Sequence, residues 1–270
     1  MVGNESGAGG GAAELTADVR AAYDTSAGEW ASGPEQVYAL LARELLASAD
    51  VPLDGRLVLD VGAGTGVAAR AALAAGARLV VAVDLAAGML RRASGPLHPV
   101  AADVTALPFR DGTFDTVLAA FCLNHLRDIA AALSEARRVG TAIAASVFAP
   151  GWTHPAKSAV DEALRPFGYR PPAWYVTFKR ETEPQAGDPE LLAAQVSRAG
   201  FRRVRLRTVE VPTGLASPAQ LASWRLGMAH IAPFIRSLDP PRAAAARRAA
   251  EQAVHGAAPL VVPMVVLTAS

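Results

Sequence analysis

Hydrophobic and polar positions along residues 56–148 alternate between two periodicities. Short apolar runs, typical of strands buried on both faces, occur at five places: 56–61, 79–84, 98–102, 114–121 and 141–148. The segments between them follow the helical period, at 67–75, 86–93 and 129–139. Strands that alternate with helices form right-handed βαβ units around a parallel sheet. The pattern therefore predicts a doubly wound, Rossmann-like α/β fold.

The chain that precedes this regular region has a different composition. Residues 1–13 are rich in glycine, and we predict a disordered tail there. Residues 15–49 follow the helical period on both sides of a break at Ser32-Gly33-Pro34. This segment therefore predicts two helices before the first strand.

The second half of the chain is less regular. Residues 151–187 are rich in proline and aromatic residues. Further on, the pattern predicts a helix at 189–199, a strand at 203–211, a helical stretch at 218–253 with a break at 239–241, and a strand at 260–268. We predict one domain over residues 14–270, with lid segments near 151–187 and 214–256.

Composition narrows the class of protein. Of the 270 residues, 51% are hydrophobic, and the formal net charge is +1. No basic stripe follows the pattern of a nucleic-acid interface, and the longest apolar run, 259–267, is too short to span a bilayer. The single cysteine, Cys122, excludes an internal disulfide, and no spacing of ligand residues indicates a metal site. We expect a cytoplasmic enzyme, monomeric or homodimeric, with a small-molecule partner and neither nucleic acid nor membrane.

The strongest chemical signal is the segment Val58-Leu59-Asp60-Val61-Gly62-Ala63-Gly64-Thr65-Gly66, between a strand and a helix. Glycines there let the backbone turn sharply and approach a ligand closely. The N–H groups at the start of the following helix favour electron-rich ligand atoms. Because ligands of open α/β sheets bind at the carboxyl ends of the strands, this loop predicts a binding site. Taken alone, such a glycine pattern is also typical of an ordinary tight turn.

Two aspartates at later strand ends strengthen the prediction. Asp84 ends the second strand, where a carboxylate can accept hydrogen bonds from both hydroxyls of a ribose. Asp103 follows the third strand, where a carboxylate can accept from an adenine amino group, although it could also be a simple turn residue. A nicotinamide dehydrogenase is the competing hypothesis, but its third glycine lies one residue later, and it gives Asp103 no role.

The order of these motifs resembles that of the class I methyltransferases. The resemblance is strongest to the ubiquinone and menaquinone biosynthesis C-methyltransferases and to many natural-product methyltransferases. In addition to the glycine segment and Asp84, it includes Gly88-Met89-Leu90, and then Asp103 with Leu107-Pro108-Phe109 and Phe114-Asp115. It covers roughly residues 15–148.

This resemblance implies S-adenosylmethionine as the cofactor. It also implies a seven-stranded, mostly parallel sheet whose last two strands form an antiparallel hairpin. A tyrosine in Ala22-Tyr23-Asp24 would cover the methionine end of the cofactor, although Tyr23 and Trp30 could equally pack a helix onto the core. The cofactor-binding residues that it implies are Tyr23, Asp60, Gly62, Ala63, Gly64, Gly66, Asp84, Leu85, Met89, Asp103, Val104 and Phe121.

His125 is the candidate catalytic residue. It lies in Phe121-Cys122-Leu123-Asn124-His125-Leu126, after the fourth strand and beside the expected methyl donor. A histidine there could take a proton from a hydroxyl or amine nucleophile. A structural histidine at a strand end is the competing interpretation, and Cys122 is expected to be a small packing residue.

Aromatic residues in the lid segments predict the acceptor pocket. They indicate an apolar or aromatic acceptor, although the regular stripe in the second lid is also typical of core packing. The predicted substrate-pocket residues are Asn124, Trp152, Trp174, Tyr175, Trp224 and Met228.

The sequence therefore predicts methyl transfer to an O, N or C nucleophile of a small, apolar or aromatic molecule. A bacterial role in specialised metabolism is expected from the Ala- and Arg-rich composition. Two alternatives stay open: a cyclase or other non-methylating enzyme that binds S-adenosylmethionine on the same fold, and a binding module without turnover.

Overall fold

A computed structural model describes the backbone of residues 7–270 and the side chains from Leu15 onward. Helix α1 (Gly7–Ser32) begins inside the stretch 1–13 that we predicted to be a tail, and residues 1–6 lie outside the described part of the chain. After the break at Gly33-Pro34 comes α2 (Glu35–Ala49). Its buried residues Val37, Leu41 and Leu45 recur every fourth position, which aligns them on one face of the helix.

The alternating region forms the strands and helices that its periodicity predicted. The elements are β1 (Leu57–Val61), α3 (Val67–Ala74), β2 (Leu79–Asp84), α4 (Ala87–Leu90), β3 (His98–Ala101), β4 (Phe114–Ala120), α5 (Ile129–Val139) and β5 (Gly140–Phe148). A short 3₁₀ turn, Leu123–His125, follows β4. Predicted and observed bounds differ by at most three residues, the largest difference being at the end of α4.

The second half adds helices around two further strands. These elements are α6 (Pro155–Leu164), α7 (Ala173–Thr177), α8 (Glu183–Gly187), α9 (Pro189–Arg198), β6 (Arg205–Pro212), α10 (Pro218–Leu226), α11 (Ala232–Ser237), α12 (Pro240–Ala253) and β7 (Val261–Ala269). A π-helical turn, Phe178–Thr182, connects α7 to α8. The predicted break at 239–241 is the start of α12, where Asp239 accepts a hydrogen bond from the backbone N–H of Arg242.

All seven strands form one sheet in the order β3-β2-β1-β4-β5-β7-β6. The strands β1 to β5 are parallel, and β7 runs antiparallel to both β5 and β6. This confirms the predicted fold class, including the antiparallel C-terminal hairpin. Because the chain order reverses between β1 and β4, the loops that follow these two strands diverge and leave a crevice between them.

Neighbouring residues of the central strands face opposite layers. Val58 packs in the core that includes α2, α6, α10 and α12, whereas Leu59 packs in the core that includes α5 and α9. Helix α6 contacts α10 and α12, so the two lid segments form one helical layer with α2. Among the described helices, none combines the length and hydropathy that a membrane span requires.

Candidate active site

The crevice beside β1 and β4 opens into a cavity of about 740 Å³. Its floor consists of the loops that follow β1, β2, β3 and β4, and α1 and the first lid segment complete the wall. Charged, aromatic and backbone groups therefore converge at the carboxyl edge of the sheet, where the glycine segment and the two aspartates were predicted to meet.

The glycine segment turns sharply at the end of β1. Gly62 has φ +65°, in the left-handed region that side chains disfavour. A Cβ added to Gly62 would lie 2.5 Å from Sγ of Cys122, so only glycine fits between the loop after β1 and the loop after β4. Gly66, at φ +81°, is the N-terminal cap of α3 and is absent from the cavity lining, so it acts through the turn and not as a wall residue.

Asp84 lies at the end of β2 and contacts two loops. One carboxylate oxygen accepts from the backbone N–H of Gly64 at 2.8 Å, and the other accepts from the N–H of Ala86, also at 2.8 Å. Burial raises the pKa of Asp84, and the two N–H groups oppose that rise. Each oxygen keeps a second lone pair that can accept from a ligand in the cavity.

Asp60 is a buried carboxylate in the middle of the glycine segment. Its side chain is 1% exposed, and neither oxygen has a hydrogen-bond partner within the part of the chain that the structure describes. Burial raises the pKa of Asp60 to about 7, the nearby amide of Ala69 partly opposes this, and the charge of Asp84 adds to it. A buried acid without partners is costly unless a ligand supplies a donor.

Asp103 lies at the side of the cavity formed by the loop after β3. One carboxylate oxygen accepts from both the backbone N–H and the hydroxyl of Thr105, at 2.8 and 2.7 Å. This turn holds the side chain in place and leaves the second oxygen for a ligand. Val104 and Leu85 also line this side.

Aromatic rings close the cavity on the side of α1. Tyr23 packs edge-to-face on Trp30, with ring centroids 5.5 Å apart, and Trp30 packs on Tyr38 at 4.8 Å. Phe121, at φ +53°, ends β4 in a conformation that is rare for a residue with a side chain, and its ring packs against Tyr38. Helix α1 is fixed here because the backbone N–H of Gly88 donates to the carboxylate of Asp24.

His125 lies between these rings and the first lid. Its Nε2 is 3.4 Å from Oη of Tyr23, and its ring stacks on Phe178 with centroids 4.7 Å apart. Nδ1 has no partner among the described residues. Asp128, the nearest acid along the chain, instead caps α5 by accepting from the N–H of Ala131 at 2.8 Å. Burial lowers the pKa of His125 to about 4, so the ring is neutral at neutral pH.

A second, smaller chamber of about 40 Å³ adjoins the main cavity. Both spaces are lined by Tyr23, Tyr38, His125, Trp174 and Phe178. The smaller chamber extends from these side chains toward α6 and α10, and we call it the inner chamber. In addition to tyrosines and His125, its polar lining contains Asn124, Lys157, Lys179, Glu183, Arg225 and His230.

The structure brings most of the predicted residues to these two spaces. Eleven of the twelve predicted cofactor residues line the main cavity, all except Gly66. The predicted substrate residues Asn124, Trp152, Trp174, Tyr175, Trp224 and Met228 all line the inner chamber, and Trp174 lines both.

Several site residues carry no sequence signal that we could have used. Tyr38 lies in an ordinary amphipathic helix, and Lys157 looks like a typical polar residue of a surface helix. Phe178 does carry a signal, since it is one of the aromatic residues of the first lid segment that indicated the acceptor pocket. Asp24 could have been found, because it follows Tyr23 in the segment that carried the resemblance. Asp115, by contrast, is remote from the cavity: it binds the N–H of Leu57 at the opposite edge of the sheet.

Comparisons with known proteins agree with this geometry. A family model described as a methyltransferase domain matches residues 59–142. The demethylmenaquinone methyltransferase of Thermobifida fusca is 33% identical over 175 residues, which cover 57% of this chain and 72% of that protein.

Two solved structures share the fold. One is a protein of Anabaena variabilis, described as a methyltransferase candidate from an antibiotic biosynthesis pathway; it has a TM-score of 0.59 at 14% identity, over 85% of this chain and 96% of that one. The other is the cyclase SpnF, with a TM-score of 0.50 at 20% identity, over 84% of this chain and 79% of that one.

The fold, the site and the relatives together define the class of protein. The chain belongs to the class I S-adenosylmethionine-dependent methyltransferases. It is an enzyme, and its cofactor is S-adenosylmethionine.

Proposed function

We propose that this enzyme transfers the methyl group of S-adenosylmethionine to an O, N or C nucleophile of a small aromatic molecule. The observation that carries the proposal is the aromatic wall that runs from the cofactor loops into the inner chamber. Planar rings pack favourably against such walls, in stacked or edge-to-face geometry. Relatives named for their action on demethylmenaquinone, a quinone, support an acceptor with a ring.

The adenosine part of the cofactor fits the outer side of the main cavity. The free lone pairs of Asp84 can accept from the two ribose hydroxyls, and the second oxygen of Asp103 can accept from the adenine amino group. Leu85 and Val104 supply apolar contacts for the base. The left-handed turn at Gly62 and Gly64 removes the side chains that would obstruct the approach of the ligand.

The methionine part of the cofactor fits the side of the main cavity that is lined by Asp60, Met89 and Tyr23. Asp60 lines this cavity with a buried carboxylate that has no hydrogen-bond partner among the described residues, and the amino group of the methionine moiety would supply the donors it lacks. Met89 and Tyr23 lie across the cavity and can cover the chain that leads to the sulfur. The cofactor therefore satisfies a buried charge that costs free energy in its absence.

When bound, the cofactor supplies an electrophilic methyl group on a sulfonium. The protein then mainly aligns the acceptor and excludes water, and such alignment can supply about 7–11 kcal/mol of the barrier. Tyr23, Tyr38, Phe121, Trp174 and Phe178 form the apolar walls for this alignment. Because the methyl group is already activated, no strong base is required for a nucleophile that is already ionised or is a neutral amine.

His125 is suited to hold the acceptor but is a poor general base. Burial strongly disfavours the imidazolium that would form if the ring took a proton, and no carboxylate of the described residues orients the ring. Its pKa of about 4 is far below the value near 7 at which a histidine works best as a general base. We therefore propose that His125 packs against the acceptor with Phe178.

The test is turnover with ring-containing acceptors. Purified protein is incubated with S-adenosylmethionine labelled in the methyl group and a set of quinols, phenols and aromatic amines, and the products are identified by mass spectrometry. We expect label in one acceptor, with one S-adenosylhomocysteine formed per methyl group. Conversion of an acceptor without label or S-adenosylhomocysteine would support the cyclase alternative instead. The cytoplasmic location, the role in specialised metabolism and the oligomeric state stay predictions.

A further inference from the structure

We propose that the inner chamber binds an oxyanion of the acceptor, a carboxylate or an ionised hydroxyl, with Lys157 as its cationic partner. The substrate class is thus an aromatic anion. This inference rests on the proposed function, because it assumes that the ring of the acceptor lies in the main cavity. Beyond the proposed function, it specifies which end of the acceptor the protein recognises.

The shape of the two spaces supports this placement. The inner chamber adjoins the main cavity through the five shared side chains, among which are the rings of His125 and Phe178. A planar acceptor beside these rings points one edge toward α6 and α10. The chamber measures about 40 Å³, which accommodates a substituent of a few heavy atoms, since one water needs roughly 10–15 Å³.

Among the described residues, the charges around the chamber leave one cation without a counter-ion. Arg225 is 3% exposed and forms a bidentate ion pair with Asp161, at 3.0 and 2.7 Å. Lys179 forms an ion pair with Glu183. Lys157 pairs with no carboxylate in the part of the chain that the structure describes. The two pairs cancel, so the chamber has a net charge of +1, which complements one monovalent anion.

The surroundings of the Lys157 ammonium are aromatic and not polar. Its Nζ lies 3.5 Å from the ring centroid of Trp152 and 5.6 Å from that of Phe148, and these two rings stack on each other. The faces of the rings attract the ammonium electrostatically, but they accept none of its three N–H donors in a conventional hydrogen bond. A bound oxyanion would supply the acceptors.

Asn124 provides a second donor. It is 1% exposed, lines the chamber, and neither Oδ1 nor Nδ2 has a partner among the described residues. A buried amide without partners costs free energy, and an oxyanion in the chamber would give its N–H groups an acceptor. Nε2 of His230, also in this lining and 4% exposed, has no partner among those residues either.

The ionisation of Lys157 agrees with this assignment. Burial lowers the pKa of Lys157 to about 7, and the charges of Lys179 and Arg225 lower it further than Glu183 and Asp161 raise it. The lysine therefore pays a penalty for its charge that an adjacent anion would remove.

Binding of matched probes to the complex with S-adenosylhomocysteine tests the proposal. The probes are naphthalene-2-carboxylate with its neutral amide, and ionised 2-hydroxy-1,4-naphthoquinone with its neutral methyl ether, measured by calorimetry at about pH 6, where both acids are ionised. We expect an anion to bind about 10-fold tighter than its neutral partner, or about 1.4 kcal/mol. A preference in the first pair identifies a carboxylate, and one in the second an ionised hydroxyl.

The variant Lys157→Met keeps the apolar volume and removes the charge, so it should reduce the preference to about 2-fold or less. The matched control is Arg165→Met, which removes an exposed cation just beyond the same helix and should leave the preference unchanged. Equal affinity within both pairs, no binding of any probe, or an unchanged preference in Lys157→Met would overturn the proposal. The affinity for S-adenosylhomocysteine is measured first in every variant, because it reports whether the cofactor site is folded. If the unmodified protein does not bind S-adenosylhomocysteine, that result counts against the proposed function itself.

Discussion

The backbone N–H of Gly64 donates to a carboxylate oxygen of Asp84 across 2.8 Å. This bond joins the loop after β1 to the end of β2, and the other oxygen of Asp84 binds the N–H of Ala86 in the loop that follows β2. Asp84 therefore shapes the glycine loop in addition to its proposed contact with the ribose. A substitution there is expected to affect both the loop and the ligand.

We predict that Asp84→Ala weakens S-adenosylhomocysteine binding by about 100-fold or more and also lowers the free energy of unfolding. The alanine leaves two backbone N–H groups without acceptors, each at about 1–3 kcal/mol when buried, and removes the ribose contacts. Asp84→Asn keeps an amide oxygen for one of these N–H groups and should be the more stable of the two. Calorimetry and urea unfolding measure the two effects.

The control for this pair is Asp111→Asn, at an exposed carboxylate that contacts only Arg138 on the surface. It should change neither quantity appreciably. Full cofactor affinity in a folded Asp84→Ala protein would show that the ribose assignment is wrong.

Asp60→Asn should stabilise the ligand-free protein at alkaline pH while weakening the cofactor. The folded pKa of Asp60 is raised to about 7, above its ordinary value of about 3.9 in an unfolded chain. Between these values the unfolded state binds fewer protons, so the carboxylate makes the folded protein less stable as the pH rises from about 4 to about 7. Asparagine carries no charge, so the Asp60→Asn protein does not lose this stability as the pH rises.

The measurement is the urea midpoint of the two proteins over this pH range. The difference in favour of Asp60→Asn should grow with pH and level off above about 7. A constant difference would mean that Asp60 is not a buried, unpaired acid. In the same protein, the affinity for S-adenosylmethionine should fall, because the amino group of its methionine part loses an ionic partner.

Gly62→Ala should abolish cofactor binding through a steric clash and not through backbone strain alone. The added Cβ would lie 2.5 Å from Sγ and 2.7 Å from Cβ of Cys122, so one of the two loops must move. The matched control is Gly112→Ala, which has nearly the same φ, +62° against +65°, and nothing within 4 Å of the added atom. Both variants incur the left-handed penalty of about 1–2 kcal/mol. Only Gly62→Ala should lose S-adenosylhomocysteine binding, and equal losses in both would contradict the clash.

The fold could be predicted from the sequence because its signals are local. The alternation of buried strands and helices between residues 56 and 148 follows from periodicity, and Asp84 and Asp103 follow from their positions at strand ends. The start of α1 at Gly7 was not predicted, because glycine has low helix propensity. Nothing in the local sequence indicated that the helix predicted from residue 15 begins as early as Gly7.

The inner chamber could not be predicted, because its residues come from elements far apart in the chain. Lys157 on α6, Arg225 on α10 and Asn124 after β4 meet only when the lids pack on the sheet. Lys157 occupies an unremarkable position in an amphipathic helix, and it has no counter-ion among the described residues because the nearby Glu183 pairs with Lys179. Charge balance of this kind is a property of the packed lids.

The affinity of the inner chamber for anions should depend on pH. Lys157 is fully charged below its pKa of about 7, so anionic probes should bind best there and progressively less well as the pH rises through this value. Burial sets this value together with the charges of Lys179 and Arg225, which lower it, and those of Glu183 and Asp161, which raise it; His230 is the other titratable group in contact with this charge. Burial keeps His230 neutral, because it holds the pKa of this ring well below its usual value. The neutral probes and the Lys157→Met protein should show no such fall, and a parallel fall for neutral probes would assign the effect to another group.

The last prediction concerns His125, whose role separates alignment from base catalysis. Because burial holds its pKa at about 4, a proton on the ring costs free energy at every pH where the enzyme is expected to work. Removal of the ring in His125→Ala takes away a stacking partner of Phe178 and a neighbour of Tyr23, so it should raise the KM for the acceptor. The value of kcat should change only a few-fold, with the affinity for S-adenosylhomocysteine nearly unchanged.

A general base would behave differently: its loss typically reduces kcat by about 10²–10⁴-fold and removes a limb from the pH–rate profile. His125→Phe restores a planar ring without a titratable nitrogen, and we expect it to recover most of the acceptor affinity. Recovery in His125→Phe identifies packing as the function of this residue, whereas a loss of kcat of that size in both variants would establish His125 as the base.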